Sequence, residues 1–149
     1  MDTKFEKDIE NLNDLIQKNL DAEKGYQKAA ENIDNGALKI FFENRSRERG
    51  HFAQSLQSEM ASYPQETETE NSFASKAHRA WMDVKVFFSG NNEEAMLEEA
   101  IRGEEAALSE YEDVLRENSF TAATRGVLNA HKISIKNALT DIKAMEKAS

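Results

Sequence analysis

Residues 5–33 read FEKDIENLNDLIQKNLDAEKGYQKAAENI, and the apolar side chains in this stretch recur at alternating steps of four and three residues. Such spacing places side chains on one face of an α-helix, as in the seam of a helix bundle. We therefore predict one long helix, which Asn35 and Gly36 end by supplying turn or left-handed conformations. The positions of the predicted seam are Phe5, Ile9, Leu12, Ile16, Asn19, Glu23, Tyr26, Ala30 and Ile33.

The same spacing returns in four later segments, so five helices are predicted in all. The second ends near Pro64, a shorter one covers about 73–88, and two long helices follow from about 91 and 120 onwards. Between the second and third helices, residues 65–72 read QETETENS and predict an exposed polar loop. The buried side of the second helix is predicted to consist of Leu38, Phe41, Phe42, Phe52, Leu56 and Met60.

The order of these helices predicts an all-α fold of one domain, residues 1–149. Two helical hairpins, 3–62 and 91–147, are joined by a crossover, 63–90, that contains the shorter fifth helix. A bundle whose helices alternate up and down needs only a short second connection, whereas this connection is long enough to span the bundle. The sequence therefore favours a ferritin-like four-helix bundle with one long crossover connection.

Composition narrows the classes of partner and compartment. The chain has 149 residues without cysteine, and its 28 acidic and 19 basic residues give a formal net charge of -9. An acidic surface repels a phosphate backbone, so nucleic acid is not expected as a partner. No apolar run long enough for a signal peptide or a membrane span is present, which predicts a cytoplasmic protein without membrane contact.

Five polar residues interrupt the predicted seams and suggest a metal site. Folding each hairpin about its turn places Glu23, Glu48, His51, Glu104 and His131 at one level of the bundle. Carboxylate-bridged di-metal bundles use one Glu from each of two helices and a Glu-x-x-His from each of the other two. Oxygen and imidazole ligands suit iron or another divalent metal.

The position where the sixth ligand of a two-metal site belongs is occupied by Leu128. A di-iron oxidase therefore lacks one bridge, and a single metal at the bundle midplane is the function that we predict, without an assigned catalytic activity. The alternative is a metal-free structural or protein-interaction module, in which the five residues form a polar network in the core. In that alternative the acidic surface and the aromatic face of Trp81, Phe87 and Phe88 serve a protein partner or a homodimer.

Two further features lie at the same level of the predicted bundle. Tyr26 and Tyr111 point inward there and are placed to hydrogen-bond the carboxylates. Four glycines lie in helix interiors, where each costs about 1 kcal/mol relative to alanine. Either their placement is accidental, or another group approaches the backbone at mid-height, or π-bulges open the helices there. These glycines are Gly25, Gly50, Gly103 and Gly126.

Four stretches in combination resemble a bacterial ferritin-like family of small four-helix-bundle proteins, a domain of unknown function. They are LNDLIQKNLDAEKGYQKAAENI (12–33), SRERGHFAQSLQSE (46–59), AHRAWMDVK (77–85) and EEAIRGEEAALSEYEDVL (98–115). The resemblance implies the fold and a prokaryotic source, and it implies no activity. Since members of the family often lack a full set of ferroxidase ligands, His51 and His131 are expected to be particular to this sequence.

Overall fold

The computed structural model describes residues 3–63, 93–117 and 120–148, and these form four α-helices. They are α1 (Thr3–Glu31), α2 (Gly36–Met60), α3 (Glu93–Glu117) and α4 (Ala122–Ala148). No strand occurs in the described residues, so the prediction of an all-α four-helix chain is confirmed. The predicted crossover helix, with Trp81, Phe87 and Phe88, lies outside the described residues.

The turn between α1 and α2 differs in detail from the prediction. Asn35 has extended backbone angles and accepts a hydrogen bond from the backbone N–H of Leu38, 3.1 Å away, which makes it the N-cap of α2. Gly36 is the first residue of that helix, and no residue with a positive φ occurs in the described part of the chain. The left-handed alternative for Asn35 and Gly36 is therefore wrong, and the Asn35 side chain instead satisfies a free N–H group at the start of α2.

Contacts between the helices fix their directions. Hydrogen bonds join Asn19 to Tyr111 and Tyr26 to Glu104, so α1 and α3 run antiparallel. Each helix of a hairpin also runs antiparallel to its partner, because each turn is short. It follows that α2 and α3 run parallel, as they do in a bundle with one long crossover connection.

The interior consists of two apolar layers. One layer contains Leu12, Ile16, Leu56, Tyr111, Leu128 and Ile135 among its members. The other contains Ala30, Phe42, Leu97, Ala100 and Ile142 among its members. Between these layers lies a band of buried polar side chains that includes Asn19, Arg45, Arg49, Glu104 and His131.

Candidate polar core site

The centre of the polar band is Glu104 on α3, whose side chain is 0% exposed. Its Oε1 atom lies 2.9 Å from Nη1 of Arg49, and its Oε2 atom lies 3.5 Å from Nε of Arg45. The hydroxyl of Tyr26 donates a short hydrogen bond to the same carboxylate. Two guanidinium groups and one phenol therefore surround the buried carboxylate.

The electrostatics of this group keep it charged. Burial alone would raise the pKa of the Glu104 carboxyl, but Arg49 and Arg45 outweigh burial and lower it. Burial alone would likewise lower the pKa of the Arg49 guanidinium, and Glu104 raises it instead. The pKa of the Tyr26 hydroxyl is raised well above its usual value by burial and by the charge of Glu104. The site thus holds a carboxylate, two guanidinium cations and neutral phenols at neutral pH.

A second part of the network extends from Arg49 toward α4. The Nε atom of Arg49 donates to Oδ1 of Asn19 over 2.6 Å, and Nδ2 of Asn19 donates to the hydroxyl of Tyr111 over 2.9 Å. That hydroxyl lies 3.0 Å from Nδ1 of His131, whose ring stacks on Phe52 with centroids 4.0 Å apart. The chain of contacts joins all four helices.

The last two groups of this series of hydrogen bonds, the Tyr111 hydroxyl and the His131 imidazole, are neutral at neutral pH. Burial raises the pKa of the Tyr111 hydroxyl to about 12. Burial, helped by the positive charge of Arg49, lowers the pKa of the His131 imidazole to about 4. A neutral imidazole next to a phenol forms a single hydrogen bond in which either group can donate, according to the tautomer.

The five predicted metal ligands differ in how deeply they are buried. Glu104 and His131 are buried in the polar band, Glu23 and Glu48 are half-buried, and His51 is exposed. Among the residues that the structure describes, no three His, Cys, Asp or Glu side chains are grouped so that they could hold a metal ion. His51 therefore does not share a buried position with Glu104 and His131, and the set of five metal ligands stays a prediction.

The reason lies in the register of α2. Arg45, Arg49, Phe52 and Leu56 occupy its buried face at steps of four, three and four, whereas Glu48 is one residue off that face. The sequence prediction did not include Arg45 and Arg49 on the buried side, where charged residues are rare unless they are paired. The missed signal was the unbroken spacing itself, since Phe42, Arg45, Arg49 and Phe52 continue the seam without a gap. Phe41, predicted on the buried side, is only half-buried.

The two half-buried glutamates contact different helices: Glu48 of α2 contacts α4, and Glu23 of α1 contacts α2. Oε1 of Glu48 accepts a hydrogen bond from Oγ of Ser134 on α4, 3.3 Å away. Glu23 lies against α2 on the side of α1, where the backbone carbonyl of Glu23 accepts a 2.7 Å hydrogen bond from Oγ of Ser46. A methyl group added at Gly50 would lie 2.8 Å from Cδ of Glu23.

The mid-helix glycines therefore have different explanations. At Gly50 the prediction of a close approach is confirmed, because the Glu23 side chain packs on the bare backbone. At Gly103 and Gly126 nothing lies within 4 Å of an added methyl group, and both residues are exposed. No π-helix interrupts the described helices, so π-bulges do not explain these glycines.

Comparison with known proteins identifies the family to which the chain belongs. A family model described as a domain of unknown function, DUF2383, matches residues 7–117, and the chain belongs to this family. No curated protein matches the sequence. No helix among the described residues is both long and apolar enough to cross a membrane.

Proposed function

We propose that the chain is a metal-independent helical module that works as a structural or protein-interaction element. The observation that carries this proposal is the pairing of Glu104 with Arg49 at 2.9 Å and with Arg45 at 3.5 Å in the core. In carboxylate-bridged bundles a bound cation offsets the repulsion among buried carboxylates. Here two guanidinium groups of the chain itself supply that positive charge.

Charge and hydrogen-bonding capacity both support the proposal. A divalent ion bound to Glu104 would stand within a few ångströms of two guanidinium cations, and like charges at that distance repel strongly in a medium of low dielectric constant. The carboxylate already accepts bonds from Arg49 and Tyr26. Metal binding would therefore cost the separation of a buried ion pair.

The metal-binding function stays a prediction with one observation in its favour. His131 is buried and neutral, which is the state in which imidazole binds iron or another divalent metal. Binding by Glu104 and His131 would require Arg45 and Arg49 to move out of the polar band, and Glu23, Glu48 or His51 to move in.

The test is thermal unfolding with and without Fe(II), Mn(II) or Zn(II) near neutral pH. A ligand that binds only the folded protein raises the melting temperature, increasingly with concentration. We expect no rise for the wild-type protein, and we expect Glu48→Ala to behave like the wild type in this titration. A saturable rise in the wild type that Glu48→Ala or Glu104→Gln removes would support the metal-binding function instead.

The proposal includes the ferritin-like topology of the bundle and its crossover. The parallel direction of α2 and α3 supports a ferritin-like topology, with residues 63–90 forming the crossover and its shorter helix. We propose a bacterial, cytoplasmic protein without catalytic activity or nucleic-acid binding, consistent with the acidic composition.

A further inference from the structure

Helix α4 carries a second seam on the side that faces away from the core. Its residues follow one another at steps of four and three, as the buried seam does, and all six are exposed and uncharged. The helix contains seven Asp, Glu, Lys or Arg residues, and none of them lies on this stripe. The outer seam consists of Gly126, Ala130, Ile133, Asn137, Thr140 and Ala144.

Ile133 lies in the middle of the outer seam and is 58% exposed. Ile40 on α2, at 59%, is the other strongly exposed large apolar side chain of the described residues. Helices pair as a coiled coil through a four-three seam of apolar residues, and three of the six outer-seam residues, Ala130, Ile133 and Ala144, have apolar side chains. The inner seam of α4 packs on α3 and α2, and none of the described helices covers the outer seam.

We infer that the occupant is α4 of a second copy of this chain, aligned parallel to the first. This inference deepens the proposed interaction role and rests on it. In heptad notation Ala130, Asn137 and Ala144 take position a, and Gly126, Ile133 and Thr140 take position d. Lys136 is then a g residue and Asp141 is the e residue five positions later, which are the positions that meet across a parallel pair.

Charge complementarity supports this arrangement. Lys136 and Asp141 are both exposed, and they flank the outer seam on opposite sides. In a parallel pair each lysine meets the aspartate of the other copy, so the two-fold axis generates two ion pairs. An Asn at position a, as Asn137 is, sets register and pairing state at some expense of stability.

The charges of α3 and α1 disfavour contacts between copies through those two helices. Helix α3 carries ten acidic and two basic residues, and α1 carries seven acidic and five basic residues. Two copies approaching through these helices would repel each other. Lys132 and Lys143 of α4 already pair with Glu112 and Glu105 of α3, so they leave the outer seam to Lys136 and Asp141.

Small side chains along the seam predict a reversible dimer, which sedimentation equilibrium of the full chain over a wide concentration range will detect. Ile133→Glu is expected to raise the dissociation constant by at least about tenfold, a difference of about 1.4 kcal/mol. Ile40→Glu places the same change on the outer face of α2, and we expect no effect. Circular dichroism confirms that each variant keeps its helical content.

A charge exchange tests the parallel register. Lys136→Glu and Asp141→Lys should each weaken the dimer, because each puts like charges across the seam, and the double variant should restore it. Since the chain has no cysteine, Asn137→Cys should form a disulfide between copies, whereas Ser109→Cys on the exposed side of α3 should not. The inference is overturned if the wild type stays monomeric or if the double variant fails to restore association. Either result leaves the metal-independent core untouched, since metal titration tests that proposal separately.

Discussion

Acidification below about pH 6.5 should destabilise the protein through His131. The imidazole has a pKa of about 4 when folded, against an ordinary value of 6.5. At pH 7 both states are neutral and the group contributes nothing to the pH dependence. As the pH falls below 6.5, the unfolded chain binds a proton that the folded chain cannot, so the free energy of unfolding falls.

The size of the effect follows from the difference between the two pKa values. Each pKa unit corresponds to about 1.36 kcal/mol, so the loss approaches about 3 kcal/mol when the pH reaches the folded pKa near 4. Glu104 also has a lowered pKa, and its contribution is lost only as the pH falls below its ordinary value of 4.5. The interval between pH 6.5 and 4.5 therefore reports mainly on His131.

Urea unfolding followed by circular dichroism at several pH values will measure this loss. His131→Phe preserves a ring beside Phe52 and removes the titrating group, so its stability should be nearly independent of pH in that interval. His51→Phe is the matched control, because His51 is exposed and should leave the slope of the wild type unchanged. A wild type whose stability is flat from pH 6.5 to 4.5, or an unchanged slope in His131→Phe, would refute the reasoning.

Three further substitutions test the core and its surroundings by denaturant unfolding. Glu104→Gln should lower the free energy of unfolding by about 3–5 kcal/mol, because it leaves two buried guanidinium groups unneutralised. Glu105→Gln, at an exposed position, should lower it by well under 1 kcal/mol, and equal losses would mean that the ion pair is not buried. Gly50→Ala should destabilise the protein because the new methyl group displaces Glu23, while Gly103→Ala should stabilise it by about 1 kcal/mol. A gain in stability at both positions would contradict the close approach of Glu23 to Gly50. Asn35→Ala should cost about 1 kcal/mol through loss of the cap of α2, and an unchanged midpoint would exclude a stabilising cap.

Periodicity was sufficient to predict the helices, because burial of one face repeats in sequence at the spacing of the helix. It also placed Glu104, His131 and both tyrosines inward, and the contact of Tyr26 with Glu104 confirms that part of the prediction. The predicted buried side of α2 did not include Arg45 and Arg49, although both are buried. A charged residue enters a core when a partner of opposite charge is already there, and the partner lies on another helix.

A similar limit applies to the nearly equal spacing of the two hairpins, in which Glu104 follows Glu23 by 81 residues and His131 follows His51 by 80. Glu23 and Glu104 correspond in sequence, as do His51 and His131, yet only Glu104 and His131 are buried. Arg49 takes the interior position that the equivalence had given to His51. Sequence spacing reports which residues share a helix face, whereas a shift of one residue around the helix axis decides which of them reaches the core.

The central claim is that the guanidinium groups of Arg45 and Arg49 take the place of a metal beside Glu104. Elemental analysis of protein purified without an affinity tag, from cells grown with iron, manganese and zinc, tests it most directly. We predict far less than one equivalent of any of these metals per chain, with the same result for Arg49→Leu and for the wild type. About one equivalent in the wild type, lost on substitution of Glu104 by Gln, would contradict the claim.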